Sequence, residues 1–296
     1  MHISYPKIMS LDKMAKAIVM QWLSWSWKST KAEEFKKEWY IVFNRDMARL
    51  ENPTMKEKEI IKLEDNFILD NVWNDIVIDN THMNSKSRYL LYEKLKQSWY
   101  EITKYDMAID FTSNEEYLEV SILRNSIRQW TSKVPNSVIY QQYLQEYEIP
   151  WKVIICDIDW TVANLEHRLH YIKQEKKDHD SFYANVKNDT PIVQTIEIVR
   201  SLKESWYTIV MMSGRRNQTC EDTEAWLDNY NVPYDYLLMR SWWDKRPDHE
   251  VKLELYERCL RKNDVFLAID DRKSIVDLWR SLWIFVLDVR QTDTIF

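Results

Sequence analysis

Two stretches of the chain place groups that can handle phosphate. In QWLSWSWKST (Gln21–Thr30) a Lys-Ser-Thr run follows the apolar strand-like AIVM and precedes the helix-like KAEEFKKEWY. With glycine at Trp22, Trp25 and Trp27 this stretch is G-x-x-x-x-G-K-[ST] in its proper strand–loop–helix context. Backbone N–H groups and the helix N-terminus would then cradle phosphates, Lys28 would reach the outer ones, and Ser29 or Thr30 would hold Mg2+. The plainer reading is a Lys-Ser-Thr helix start. In VIICDIDWTVANLEHR, Asp157 and Asp159 stand two apart at the end of an apolar run, followed downstream by MMSGRR, PDHEVK and LAIDDR. A lone Asp-x-Asp pair is a weak signal; four motifs in order are a strong one.

The elements that must carry these groups alternate along the chain. AIVM, YIVFNRD (Tyr40–Asp46), DIVIDNTH (Asp75–His82) and YEITKYDM read as strands, with helical stretches between them, one over about 84–98. IPW (Ile149–Trp151) is a Pro-containing joint. After it the pattern restarts: KVIICDID, a long helical region, YTIVMMSG, YDYLLMRS, VFLAIDD and IFVLDV, with helices between the last four. Strands separated by helices predict parallel α/β sheets in two domains, 1–150 and 151–296.

Composition narrows the class. The chain has 296 residues, 45% apolar and 30% charged, with a formal charge of −6. That predicts a globular protein without a broad electrostatic grip on a polyanion, so nucleic-acid contacts should be local. No run reaches the roughly 18 apolar residues of a membrane span. Cys156, Cys220 and Cys259 show no paired spacing and read as reduced thiols of a cytoplasmic protein.

Two counts are abnormal: one glycine, Gly214, and fifteen tryptophans. Usage near 7% predicts roughly twenty glycines. The tryptophans stand where glycine is wanted. QSWYEITKYDM, ESWYTIVMMSG and LWRSLWIFVLDV each run helix end, Trp, strand, placing Trp99, Trp206 and Trp283 at left-handed caps. Trp73 sits in a polar turn, and Trp242 and Trp243 in a polar loop. Trp226 and Trp279 lie inside helical patterns and read as core. A codon assigned to glycine in some genetic codes and to tryptophan in others would produce this. Read literally, indoles at positions 25 and 27 would block the phosphate cradle.

Further candidates lie at strand ends of the first half. Asp46 could take a proton from an attacking hydroxyl and Arg49 could hold an acceptor phosphate. A helix cap and a surface charge is the plainer reading of that pair. Asp79 could support Mg2+ or the acceptor. In RNSIRQW, Arg124 and Arg128 stand one helical turn apart and could close over phosphates; a solvated face is the alternative.

D-x-D-x-T, SGR, the Lys252 motif and AIDDR together resemble the haloacid-dehalogenase (HAD) superfamily. That resemblance implies Asp157 as nucleophile and Asp159 as acid and base. Asp157, the Asp159 main chain and Asp270 would hold Mg2+, with Asp271 in support, while Ser213 and Lys252 bind phosphoryl oxygens. Only Trp160 departs from the pattern.

A P-loop half followed by this half resembles the phage-type bifunctional polynucleotide kinase 3′-phosphatases over nearly the whole chain. The resemblance implies ATP as phosphate donor and DNA or RNA ends as substrates. Asp46 would be the base for a 5′-hydroxyl, Arg49 the acceptor's clamp, and Lys28 with Arg128 would stabilise the phosphoryl group in flight. Arg215 and Arg246 match substrate-handling arginines, and Arg168, in the variant wording NLEHRLHY, is a weaker match. The family often forms homo-oligomers. Two other readings stand beside it. One is a small-metabolite kinase fused to a nucleotidase. The other, if the tryptophans are real, is a binding protein or phosphatase with a dead P-loop.

Overall fold

The computed structural model describes residues 14–21, 28–79, 85–106, 111–127 and 133–290. The chain divides into two compact units, residues 1–124 and 125–296.

In the first unit the short β-branched runs form a four-stranded parallel sheet. Its strands are β1 (Lys16–Gln21), β2 (Ile41–Asn44), β3 (Ile76–Asp79) and β4 (Glu101–Asp106), in the order β2-β3-β1-β4. Between and after them lie α1 (Lys28–Lys37), α2 (Arg45–Glu51), α3 (Glu57–Asp70), α4 (Ser85–Gln97) and α5 (Asn114–Ser126). Ala17 and Val19 of β1 and Ile76 and Ile78 of β3 pack with Ile68 of α3 and Leu91 and Leu95 of α4. Burial on both faces is what continuous apolar strands encode. The second strand is shorter than its sequence suggests. It ends at Asn44, whose side chain accepts the Met47 backbone N–H, so Arg45 and Asp46 open a helix instead of ending a strand.

The second unit carries a five-stranded parallel sheet. Its strands are β5 (Val153–Cys156), β8 (Thr208–Arg216), β9 (Tyr236–Arg240), β10 (Val265–Asp270) and β11 (Val286–Asp288), in the order β11-β10-β5-β8-β9. A small antiparallel ribbon pairs β6 (Ala163–Asn164) with β7 (Thr190–Pro191). Helices α6 (Asn136–Glu146), α7 (His170–Lys173), α8 (His179–Ala184), α9 (Val193–Glu204), α10 (Cys220–Asn229), α11 (Asp248–Leu255) and α12 (Lys273–Ser281) complete it.

Two expectations change here. The long helical region after β5 is broken into the ribbon and two short helices, because its charged stretch cannot bury a continuous helical face. The units part well before the joint at 149–151. Helix α6 belongs to the second unit: Tyr140 and Tyr143 bring their rings to 5.9 and 6.0 Å from Tyr236, and Gln141 donates to the Met239 carbonyl at 2.9 Å. The three cysteines are free thiols and buried, and no helix among the described residues is long and apolar enough to cross a membrane.

The tryptophans fall into distinct groups. Trp39, Trp99, Trp206 and Trp283 have φ of 71°, 63°, 67° and 61°. Each follows a helix and repeats one hydrogen-bond pattern. At Trp206 the Tyr207 N–H reaches the Leu202 carbonyl at 3.2 Å and the Trp206 N–H reaches Lys203 at 3.0 Å. Tyr40→Phe35 with Trp39→Lys36, Tyr100→Leu95 with Trp99→Lys96, and Ile284→Trp279 with Trp283→Arg280 match it. These are Schellman caps with tryptophan in the glycine position. A fifth cap, after α10, holds Asn231 at φ 51°, the usual second choice. Trp39 belongs to the set on the same geometry. Trp73, Trp242 and Trp243 are exposed but not left-handed. Trp226 and Trp279 are core, 2% and 0% exposed.

Candidate active site

Among the described residues a dense charged site lies at the carboxyl ends of β5, β8 and β10. Strand order reverses between β5 and β10, the place where open α/β sheets bind ligands. Asp157 and Asp159 follow β5, Ser213 and Arg215 end β8, Asp270 ends β10, and Lys252 comes up from α11. The chain turns sharply after Asp159 because Trp160 takes φ 61° and donates to the Ala163 carbonyl at 2.7 Å. Among the described residues that turn is the fifth left-handed tryptophan position, where glycine carries no strain.

Lys252 is the buried centre of the charge cluster. Its Nζ lies 2.8 Å from both Asp157 Oδ1 and Asp270 Oδ2 and 3.9 Å from Asp248. Burial alone would lower its pKa, but the carboxylates outweigh burial and raise it, so the ammonium stays charged. Carboxylate oxygens of Asp157, Asp270 and Asp271 lie within 4.8 Å of one another. Burial, reinforced by Asp270 and Asp271 against Lys252, pushes Asp157 well above the carboxylate range. Burial and then Asp270 push Asp271 up to about 6. Thr161 Oγ1 donates to Asp271 at 3.4 Å. Three crowded oxygen donors that resist sharing their negative charge are the donor set a hard divalent cation satisfies, so these residues fit Mg2+.

Asp159 lives in a different field. Arg215 donates to its Oδ1 from Nε at 2.9 Å and Nη2 at 2.7 Å, and Arg168 Nη2 donates to the same oxygen at 2.9 Å. Both guanidiniums are fully buried and share a second carboxylate, Asp189, at 2.6–2.8 Å. Burial works to raise Asp159, but Arg215 and Arg168 win and hold it down to about 2. Asp189 is in turn fixed by His167 Nε2 at 2.9 Å, and its own carbonyl accepts the Trp226 indole N–H at 2.7 Å. Two aspartates two residues apart thus have opposite proton affinities, the separation that acid–base and nucleophilic roles require.

Asp157 and Asp159 open onto a cavity of about 220 Å³. Asp248, Arg240 and Arg272 line its charged side, with Arg240 Nη2 3.1 Å and Arg272 Nη1 3.3 Å from Asp248. Gly214 belongs here by necessity: a Cβ on it would sit 2.3 Å from Asp248 Oδ1.

The site gathers Asp157, Asp159, Arg168, Ser213, Arg215, Lys252, Asp270 and Asp271 from the sequence candidates. Ser213 is buried, its Oγ accepting the Arg215 backbone N–H at 3.2 Å. Arg246 is not brought in: it pairs with Asp244 and Glu254 outside the cavity lining. Asp189, Asp248 and Arg240 join the site without having been candidates: Asp248 lies inside the PDHEVK motif beside Lys252, while no local motif marks Asp189 or Arg240.

In the first unit the four strands end on one edge, with Gln21, Asn44, Asp79 and Asp106 at their carboxyl ends. Asp79 is buried and accepts the Asn44 side-chain N–H at 2.6 Å. Arg49 is exposed and grips Glu57 at 2.9 Å. Arg124 lies in α5, where partial burial lowers its pKa. Trp22, Trp25, Trp27 and Arg128 lie outside the described residues, as do the side chains of Lys28, Ser29, Thr30 and Asp46.

Twin aspartates after a central strand, with a serine, a lysine and a distal aspartate pair on neighbouring strand ends, define a HAD-type phosphatase. Residues 151–294 match the family described as polynucleotide kinase PNKP phosphatase domain, and this part of the chain is a PNKP-like HAD phosphatase domain. Chains in two structures of a Pnkp1/Rnl/Hen1 RNA repair complex match 98% and 96% of this chain and 100% and 99% of their own. Their identities are 23% and 22%, with TM-scores of 0.43 and 0.42. A HAD-superfamily hydrolase from Ehrlichia chaffeensis matches 47% of this chain and 87% of its own, at 13% identity and TM-score 0.32.

Proposed function

We propose that the chain heals nucleic-acid ends, its second unit removing a terminal 3′-phosphate and its first phosphorylating a 5′-hydroxyl from ATP. The observation that carries the first half is the Asp157–Lys252–Asp270 cluster beside a separately clamped Asp159, in a segment that matches the PNKP phosphatase family.

Asp157 attacks phosphorus, the bond to the 3′-oxygen breaks, and an aspartyl-phosphate forms. Lys252 holds Asp157 in line and, with Ser213, takes the phosphoryl oxygens. Asp159 gives its proton to the leaving 3′-oxygen, then takes one from the water that releases phosphate. Held at a pKa of about 2, it is a carboxylate at rest. The negative charge of a phosphate dianion arriving beside it raises its proton affinity, which favours the acid form when substrate is bound. Asp157, Asp270, Asp271 and the Asp159 carbonyl would hold Mg2+, which when bound offsets the phosphoryl charge. Arg246 has no part in this scheme.

The kinase half is supported by a parallel sheet whose first strand ends at Gln21, with residues 22–27 between it and α1, which opens at Lys28. Lys28 with Arg128 would stabilise the transferring phosphoryl, Ser29 would hold Mg2+, Asp46 would take the 5′-hydroxyl proton, and Arg49, Asp79 and Arg124 would place substrates. This reading carries with it glycine at positions 22, 25 and 27.

The test is substrate size and independence. The protein should release phosphate from a 3′-phosphorylated oligonucleotide far faster than from a nucleoside 3′-monophosphate. Asp157→Asn should abolish release while leaving 5′-phosphorylation intact. Equal rates on both substrates would replace the end-healing reading with a small-metabolite nucleotidase.

A further inference from the structure

The cavity has two unlike walls. One is charged, with Asp248, Arg240 and Arg272. The other comes from the segment between the ribbon strands and presents Leu169, Ile172, Phe182 and Tyr183. A phosphate monoester needs nothing apolar beside it, and burying apolar wall against water is wasted on an inorganic group. The rings are also held in place. The Arg168 guanidinium sits 4.2 Å from the Phe182 ring centre, and Arg216 sits 5.0 Å from that of Tyr183. Arg168 is the same residue that clamps Asp159, so the aromatic wall and the acid–base carboxylate are fixed in one framework.

We propose that this wall, with the Tyr183 ring as its stacking surface, receives the base of the terminal nucleotide whose 3′-phosphate is removed. The inference rests on the end-healing reading and adds the feature of the end that is read. Stacking on an aromatic ring tolerates any base, so the preference is for the presence of a base and not its identity. Phe182 and Tyr183 are therefore positioning residues: they set where the 3′-oxygen stands relative to Asp157 and take no part in the chemistry.

The experiment compares two 3′-phosphorylated oligonucleotides of one sequence, one with an ordinary terminal nucleotide and one with an abasic terminal residue. Phosphate release gives kcat/KM for each. The wild type should favour the base-bearing end about tenfold, within the range that base–aromatic stacking supplies. Tyr183→Ala should bring the ratio to near one, and Tyr183→Phe should restore it, since the ring and not the hydroxyl is used. The ratio is taken within each variant, so loss of folded protein cancels. Ile172→Ser, on the same wall, should lower the ratio if Tyr183→Ala does not fold. An unchanged ratio in Tyr183→Ala and Ile172→Ser overturns the inference while the end-healing reading stands. Hydrolysis of acetyl phosphate with no release from either oligonucleotide overturns both.

Discussion

The four Schellman caps make a quantitative test of whether tryptophan belongs in them. A residue with a Cβ held left-handed costs about 1–2 kcal/mol. Glycine gives back about 0.4–1 kcal/mol through its freer unfolded chain. Removing the indoles costs little contact, since exposure runs from 78% at Trp99 to 96% at Trp283. The net gain is about 0.5–1 kcal/mol per site. Trp206→Gly with Trp283→Gly should therefore stabilise the second unit by about 1–2 kcal/mol, raising its Tm by roughly 2–8 °C. The assay is thermal unfolding followed by circular dichroism. Trp206→Ala with Trp283→Ala keeps both Cβ atoms and should gain nothing. Trp226→Gly or Trp279→Gly, in the core, should lose at least about 3 kcal/mol. Equal gains from alanine and glycine would refute the backbone argument, for the benefit would then come from losing exposed indoles. In protein from its natural source, peptide mass spectra should show glycine at 39, 99, 160, 206 and 283, and across the loop at 22, 25 and 27.

Other outcomes follow from the site and its surroundings. Lys252→Met leaves Asp157 and Asp270 facing each other without their cation. Phosphate release should fall at least about a hundredfold, and chemical denaturation should show a loss of about 3 kcal/mol. Gly214→Ala forces the Asp248 carboxylate from its arginines and should cost about 1–3 kcal/mol by thermal melt, with lower kcat/KM. Burial, opposed by the Asn136 amide, raises Glu224 to about 7. Its folded pKa exceeds its unfolded one, so the folded state binds the extra proton and stability falls as pH rises from about 4.5 to 7. Glu224→Gln should remove that slope and stabilise the protein at pH 8 by about 2 kcal/mol.

What was legible in the sequence was what local pattern encodes. Asp157, Asp159, Ser213, Lys252, Asp270 and Asp271 announce themselves because each motif sits at a strand end or opens a helix, and the parallel sheet brings those ends together. Trp99, Trp206 and Trp283 were legible as caps from neighbours alone. Asp189 was not, because its meaning lies in two arginines, 21 and 26 residues away in the chain, that meet only once β8 has paired with β5. Asp248 needs Gly214 and Arg240 from other elements to make sense of it. The short helices α7 and α8 are not legible in the sequence because a polar, broken segment carries no period to read.

Helix α6 bears on how the phosphatase half can be isolated. It lies N-terminal to the matched span of 151–294, yet it covers β9, the edge strand, and Gln141 occupies a carbonyl of that strand. A fragment begun at residue 151 would bare Tyr236 and an unpaired strand edge, the surface along which separate molecules add strands to one another. Such a fragment should be recovered as aggregates, and one begun near residue 133 as a monodisperse species on size exclusion. The helix is a built-in guard against polymerisation, and the compact unit is longer at its front end than the catalytic motifs suggest.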